Sequence, residues 1–179
     1  MTFRPTKLFK NALAVAERTY GKRSGTHRFI VEGRDYPIPE TLPPDAAGNI
    51  TICFANEART DYDRLRFQLS HEAIHVICGG FKRQCLVFEE GLATHFSLTQ
   101  STSDYASRAE ATLPRMFANA LSAFRKLNPS PEKIRQIRAT ILIDHLTPTL
   151  LERYFGSSPE LALVLCDRVS ARDADRLNG

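Results

Sequence analysis

The sequence predicts an α+β fold, with a small sheet in the first third and helices after it. Two observations carry this. Residues 49–55 alternate at the period of a strand, with Ile50, Ile52 and Phe54 on one face and Thr51, Cys53 and Ala55 on the other. From about residue 61 onward the apolar side chains instead recur every three or four positions, the helical period. A chain of 179 residues, 42% hydrophobic and 25% charged, suits one domain with a real core. Residues 1–98, with the sheet and the first long helices, and the helical residues 99–179 are read as two parts of that domain.

Taken in order, residues 7–20 read as an amphipathic helix with Leu8, Ala12, Val15 and Ala16 toward the core, ended by Gly21. Residues 27–31 read as a strand and 32–34 as a turn. Residues 35–38 return as a second strand, which Pro37 confines to an edge or bulge. Residues 39–48, with three prolines, are expected to be a loop. The strand over 49–55 follows, and its edge is expected to border any cleft formed by the next helix. Asp61 or Thr60 can cap that helix, which runs to about Cys78 and stops at Gly79-Gly80. A connector over 81–87 leads to a helix over 89–98. Helices over 104–111 and 113–127 come next. Three more open at Ser130-Pro131, Thr147-Pro148 and Ser158-Pro159, each pairing a capping hydroxyl with proline at the first helical position. Residues 173–179 are expected to fray.

Composition excludes several functions. A net charge of +4, from 24 basic and 20 acidic residues spread along the chain, is too mild to point to nucleic acid. No apolar run approaches the ~18 residues of a membrane helix, and the start reads as an amphipathic helix rather than a secretory leader. Cys53, Cys78, Cys85 and Cys166 form no C-x-x-C pair. That argues against a zinc ribbon and for reduced, mostly buried thiols in a cytoplasmic protein, with a Cys78–Cys85 disulfide as the alternative.

The chemistry concentrates in the helix ending near Cys78. Leu65, Leu69, Ala73 and Val76 form one apolar stripe, and Phe67, Ile74 and Cys78 extend it around the helix, so the helix is expected to be buried. It also carries His71-Glu72-Ala73-Ile74-His75, the H-E-x-x-H pattern. At ~100° per residue the two histidines share a face one turn apart. They can hold one tetrahedral zinc, with Glu72 placed to hold a water against it. Buried without such a partner, the three polar side chains would be costly.

After His75 the chain has Cys78 where a metzincin needs glycine and Phe81 where it needs histidine, so that class is excluded. The H-E-x-x-H element followed by Glu90-Gly91-Leu92-Ala93 resembles instead the gluzincin branch of zinc metallopeptidases, over about residues 49–98. The resemblance implies a zincin-like fold, with a small N-terminal sheet packed on the zinc-binding helix pair and a helical C-terminal half closing the cleft. It also implies zinc as cofactor, His71, His75 and Glu90 as its ligands, and a peptide or protein substrate. Glu72 then acts as the base that takes a proton from the zinc-bound water and passes it to the leaving amine. Phe88 matches an aromatic that many larger members place before the acid.

Glu89 is the rival ligand, and otherwise an acid favourable in a first helical turn. Small Gly91 and Ala93 are expected to let the two site helices approach closely. Thr94, one turn beyond Glu90, can donate to a ligand or simply face the cleft. Gluzincins often supply an oxyanion donor from C-terminal to the ligands, for which His145, Tyr105 and Tyr154 are the candidates. His95 lies ~140° from the face of Glu90 and is expected to be structural. The expected function is therefore a zinc metallopeptidase. The alternatives are a zinc hydrolase of a non-peptide amide, or a regulatory or binding protein that keeps the zinc fold for structure. Glu72 weighs against the last, because a structural zinc has no use for a glutamate beside its ligands.

Overall fold

The computed structural model describes residues 4–35, 38–79 and 84–169. It is a mixed α+β structure. Helix α1 (Pro5–Tyr20) starts on a proline whose missing N–H is one that no helix would satisfy. Its buried stripe is Phe9, Leu13, Ala16 and Tyr20, with Leu8, Ala12 and Val15 half-buried beside it. The stripe is thus turned by about one position from the expected one. The larger aromatics take the core, and Phe9 packs edge-on against Phe29 with ring centroids 5.1 Å apart.

Strands β1 (Arg28–Arg34), β2 (Glu40–Thr41) and β3 (Asn49–Ala55) form a sheet in the order β1-β3-β2. β1 runs parallel to β3 along its whole length, and β2 pairs with β3 antiparallel. The expected hairpin between residues 27–31 and 35–38 is not the pairing observed. β1 continues to Arg34 against β3, while residues 36–37 of the expected return strand lie outside the described residues. Nor does β3 supply the open edge. Ile50, Ile52, Cys53, Phe54 and Ala55 are all buried, so both faces of β3 are covered, and β1 and β2 pair on its two edges so that it takes the central position. The edge on the site's side is the two-residue β2, inside the stretch expected to be a loop.

Helix α2 (Tyr62–Cys78) has the expected limits. The Asp61 side chain accepts from the Arg64 N–H at 3.0 Å, and Gly79 closes the helix in the left-handed conformation at φ 73°. The guanidinium of Arg138 donates to the carbonyls of Tyr20, Gly21 and Ile77, tying together the C-terminal ends of α1 and α2. Residues 81–83 of the connector lie outside the described residues. Its end forms β4 (Cys85–Leu86), which leads directly into α3 (Val87–Gln100).

Helices α4 (Ser103–Ala111), α5 (Arg115–Leu127), α6 (Pro131–Thr140), α7 (Pro148–Phe155) and α8 (Pro159–Cys166) follow. Ser130, Thr147 and Ser158 cap the last three as their sequence signatures require. β5 (Arg168–Val169) then returns to pair antiparallel with β4, and the Val87 N–H donates to the Asp167 carbonyl at 2.9 Å. The end of the described chain thereby anchors the first turn of α3. Residues 173–179, expected to fray, lie outside the described residues.

One apolar cluster runs from Phe9 through β3, α2 and α3 to Leu165. Phe88 belongs to it, fully buried against the rings of Phe124 and Phe155. Gly91 brings α3 close to α5 rather than to α2: a Cβ there would overlap the Ala120 carbonyl and stand 2.6 Å from Phe124 Cβ. All four cysteines are free thiols. No helix among the described residues is long and apolar enough to cross a membrane.

Candidate metal centre

The apolar stripe of α2 faces the core, and helical geometry then carries His71, Glu72 and His75 inward with it. His71 is 5% exposed and Glu72 is 1% exposed. Packing of the first turn of α3 against α2 adds Glu89 and Glu90, which are 0% and 4% exposed. Five ionisable side chains therefore share a nearly water-free space, an arrangement that burial alone opposes.

The donor atoms converge. Nε2 of His71 and Nε2 of His75 are 3.1 Å apart. Glu90 Oε1 is 2.9 Å from His71 Nε2, and Glu90 Oε2 is 3.7 Å from His75 Nε2. One donor atom from each of these three residues lies within 4.8 Å of the others. Ligands of a tetrahedral zinc at ~2.1 Å stand about 3.4 Å from one another, which these spacings match. Glu90 Oε1 is moreover buried and enters no hydrogen bond despite its proximity to the imidazole. A buried carboxylate oxygen beside a ring nitrogen and without a hydrogen bond is what a cation would satisfy, and a divalent ion would offset negative charge brought in by the buried carboxylates. His71, His75 and Glu90 thus form a buried group able to hold a metal ion.

The surrounding groups aim these ligands. Glu89 Oε1 lies 2.7 Å from Nδ1 of His75, an arrangement that holds a hydrogen on Nδ1 and turns Nε2 toward the cluster, where it is free to bind a metal once its own proton is displaced. Phe117 packs edge-on against the His71 ring at 5.7 Å. The Cys85 thiol donates to Glu90 Oε2 at 3.3 Å, and burial together with the Glu90 charge pushes its pKa well up, so it keeps that hydrogen.

Burial by itself would lower the pKa of His75. The hydrogen bond to Glu89 and the charges of Glu72, Glu89 and Glu90 outweigh it and raise the pKa to about 10. Burial works to raise Glu90, but His71 and His75 overcome it and hold Glu90 down at about 2. Glu72 is raised, chiefly by burial, against the opposing pull of both histidines and Thr41. Glu72 is not part of the metal cluster; the Thr41 hydroxyl donates to its Oε2 at 2.6 Å.

A cavity of about 380 Å³ opens beside the cluster, with His71 and Thr94 in its wall. Phe67, Tyr105, Leu113 and Phe117 give it an aromatic and aliphatic lining, and Arg64 adds a charged side chain to it. Of the three oxyanion candidates, Tyr105 lines this cavity. His145 is exposed in the 3-10 turn Ile143–His145, and Tyr154 packs half-buried on α7; neither lines the cavity. Thr94 Oγ1 is buried without a hydrogen-bond partner. His95 packs on Phe124 at 5.5 Å, away from the ligands.

Cys85 and Phe117 were given no site role by the sequence, and two further contributors, Thr41 and Glu89, also escaped it. Thr41 lies 31 positions before Glu72, between prolines, and nothing local marks it. Glu89 was visible as an acid, but only as a rival ligand or a first-turn charge. The signal that could have found its role is its position next to Glu90, since a neighbouring helical residue points elsewhere and can reach the far side of an imidazole.

No protein-family profile matches the chain, and neither a curated protein nor a solved structure shows significant similarity to it.

Proposed function

We propose that this protein is a zinc-dependent metallopeptidase of gluzincin type on a zincin-like fold. The observation that carries the reading is the pairing of a three-donor cluster, His71, His75 and Glu90, with a buried carboxylate, Glu72, that sits beside the cluster yet is held out of it. A purely structural site needs the first and not the second. When bound, zinc would supply Lewis-acid polarisation of the scissile carbonyl and a lowered water pKa.

The chain's own residues do the rest. Glu72 takes a proton from the attacking water and delivers it to the leaving amine, a role suited to a carboxylate whose burial raises its pKa above the ordinary carboxylate value. Burial also keeps the Tyr105 phenol above its ordinary pKa, so it stays protonated and able to donate to the developing oxyanion. The cavity beside His71 receives a bulky apolar side chain next to the scissile bond, as its lining of Phe67, Leu113 and Phe117 favours.

The test is a digest of a quenched fluorescent peptide library by zinc-loaded protein, run beside Glu72→Gln and a chelated sample. The parent cleaves. Glu72→Gln keeps one zinc per chain and loses nearly all cleavage, since an amide cannot accept the proton. A zinc-loaded parent that cleaves nothing, or a Glu72→Gln variant as active as the parent, overturns the reading.

A further inference from the structure

We infer that Thr41 is a positioning residue that aims Glu72 and selects which of its two oxygens carries the proton during hydrolysis. The inference rests on the reading of Glu72 as general base.

Register places Thr41 there. In the β2–β3 pair Thr41 stands opposite Ile52, and Glu40 opposite Cys53. Residues directly opposite in an antiparallel pair share a face. Thr41 therefore projects on the side of Ile50, Ile52 and Phe54, the face buried in the core to which α2 belongs. The Leu42 N–H donates to the Thr51 carbonyl at 2.9 Å and secures the pairing just beyond it. A slip of one residue would turn Thr41 to the opposite face.

From this position Oγ1 donates to Glu72 Oε2 at 2.6 Å, a length typical of a hydroxyl bound to an ionised carboxylate. Branching at Cβ restricts the χ1 of threonine, so the donor is itself stiff. Glu72 is 1% exposed and has little water to orient it. The tether keeps Glu72 beside the cluster as a base rather than within it as a fourth ligand.

The tether also divides the two oxygens. Oε2 already accepts the threonine hydrogen and is the less basic. The proton leaving the attacking water goes to Oε1, and from Oε1 to the leaving amine. The threonine hydrogen stays on Oγ1 throughout, so Thr41 transfers no proton and acts only through Glu72.

The experiment compares parent, Thr41→Val and Thr41→Ser, all zinc-loaded, on one peptide that the parent cleaves, with zinc content and Tm measured in parallel. Thr41→Val, of the same shape without the donor, is expected to lose about 10- to 100-fold in kcat, the scale of a misplaced catalytic group. Its KM, its single zinc and its Tm stay near the parent's. Thr41→Ser restores the hydroxyl and recovers most of the loss. An undiminished kcat in Thr41→Val overturns the inference, as does a loss shared equally by the serine variant or accompanied by lost zinc. A zinc-loaded parent that cleaves no peptide overturns the peptidase reading and this inference with it. A cleaving parent with an unaffected Thr41→Val overturns this inference alone.

Discussion

Glu89 and Glu90 address opposite nitrogens of one imidazole: Glu89 Oε1 is 2.7 Å from Nδ1 of His75, and Glu90 Oε2 is 3.7 Å from its Nε2. Neighbouring residues on a helix diverge by ~100°, so the two adjacent acids of α3 cannot both turn to the metal side. One serves the ligand cluster and the other holds a ligand in the tautomer the cluster needs.

The two acids should therefore fail differently. Glu90→Ala is expected to strip zinc or weaken it sharply, because it removes a donor. Glu89→Ala should keep one zinc per chain with affinity lower by about 10- to 100-fold, the usual cost of losing such an outer partner. Titration of both variants against a competing chelator separates them. Metal loss in Glu89→Ala with retention in Glu90→Ala would reverse the assignment.

Metal-free and metal-loaded protein should respond to pH in opposite ways. In the metal-free protein the pKa of His75 is raised from 6.5 to about 10. The stability its proton contributes is fully present below pH 6.5 and is lost as pH rises through about 10. Zinc needs the same nitrogen unprotonated, so its affinity should increase with pH over that window, by up to about tenfold per unit for one displaced proton. Glu90 is held at about 2, below its ordinary 4.5, so its contribution is present above pH 4.5 and is lost as acid brings the pH down through 2. The check is the Tm of chelator-stripped parent and His75→Ala from pH 5 to 10, beside zinc titrations at several pH values. If the parent's Tm advantage over His75→Ala grows with pH, or zinc affinity stays flat, the proton is not on His75.

Gly91→Ala should destabilise the protein by about 1–3 kcal/mol, because the added methyl meets the Ala120 carbonyl and Phe124 Cβ across the α3–α5 contact. For a chain of this size that is a fall in Tm of about 2–4 °C per kcal/mol. Zinc affinity should drop with it, since any shift of α3 carries Glu90 away from the histidines. Thermal melts and zinc titration of this one variant check both effects. An unchanged melt would show that α5 yields freely to a methyl group.

Much of this was legible in the chain itself. The α+β class, the strand over 49–55, the limits of α2 at Asp61 and Gly79, and the proline-started helices all rest on local signals: periodicity, capping side chains and backbone preferences that act within a few residues. The grouping of His71 with His75 follows from a single turn of helix, whereas Glu90 was expected only through the resemblance carried by Glu90-Gly91-Leu92-Ala93, with Glu89 as its rival. What only the tertiary structure decided involves partners far apart in sequence. Both flanks of β3 are taken, by β1 in parallel and by β2 antiparallel, and no local signal specifies which strand comes to lie there. Gly91 meets α5 rather than α2 because the interhelical packing, not the glycine, chooses the neighbour. The Thr41 hydroxyl reaches Glu72 across 31 positions only because one sheet register turns it toward α2. Sequence spacing determines which residues share a face of one element; which faces meet is settled by tertiary packing.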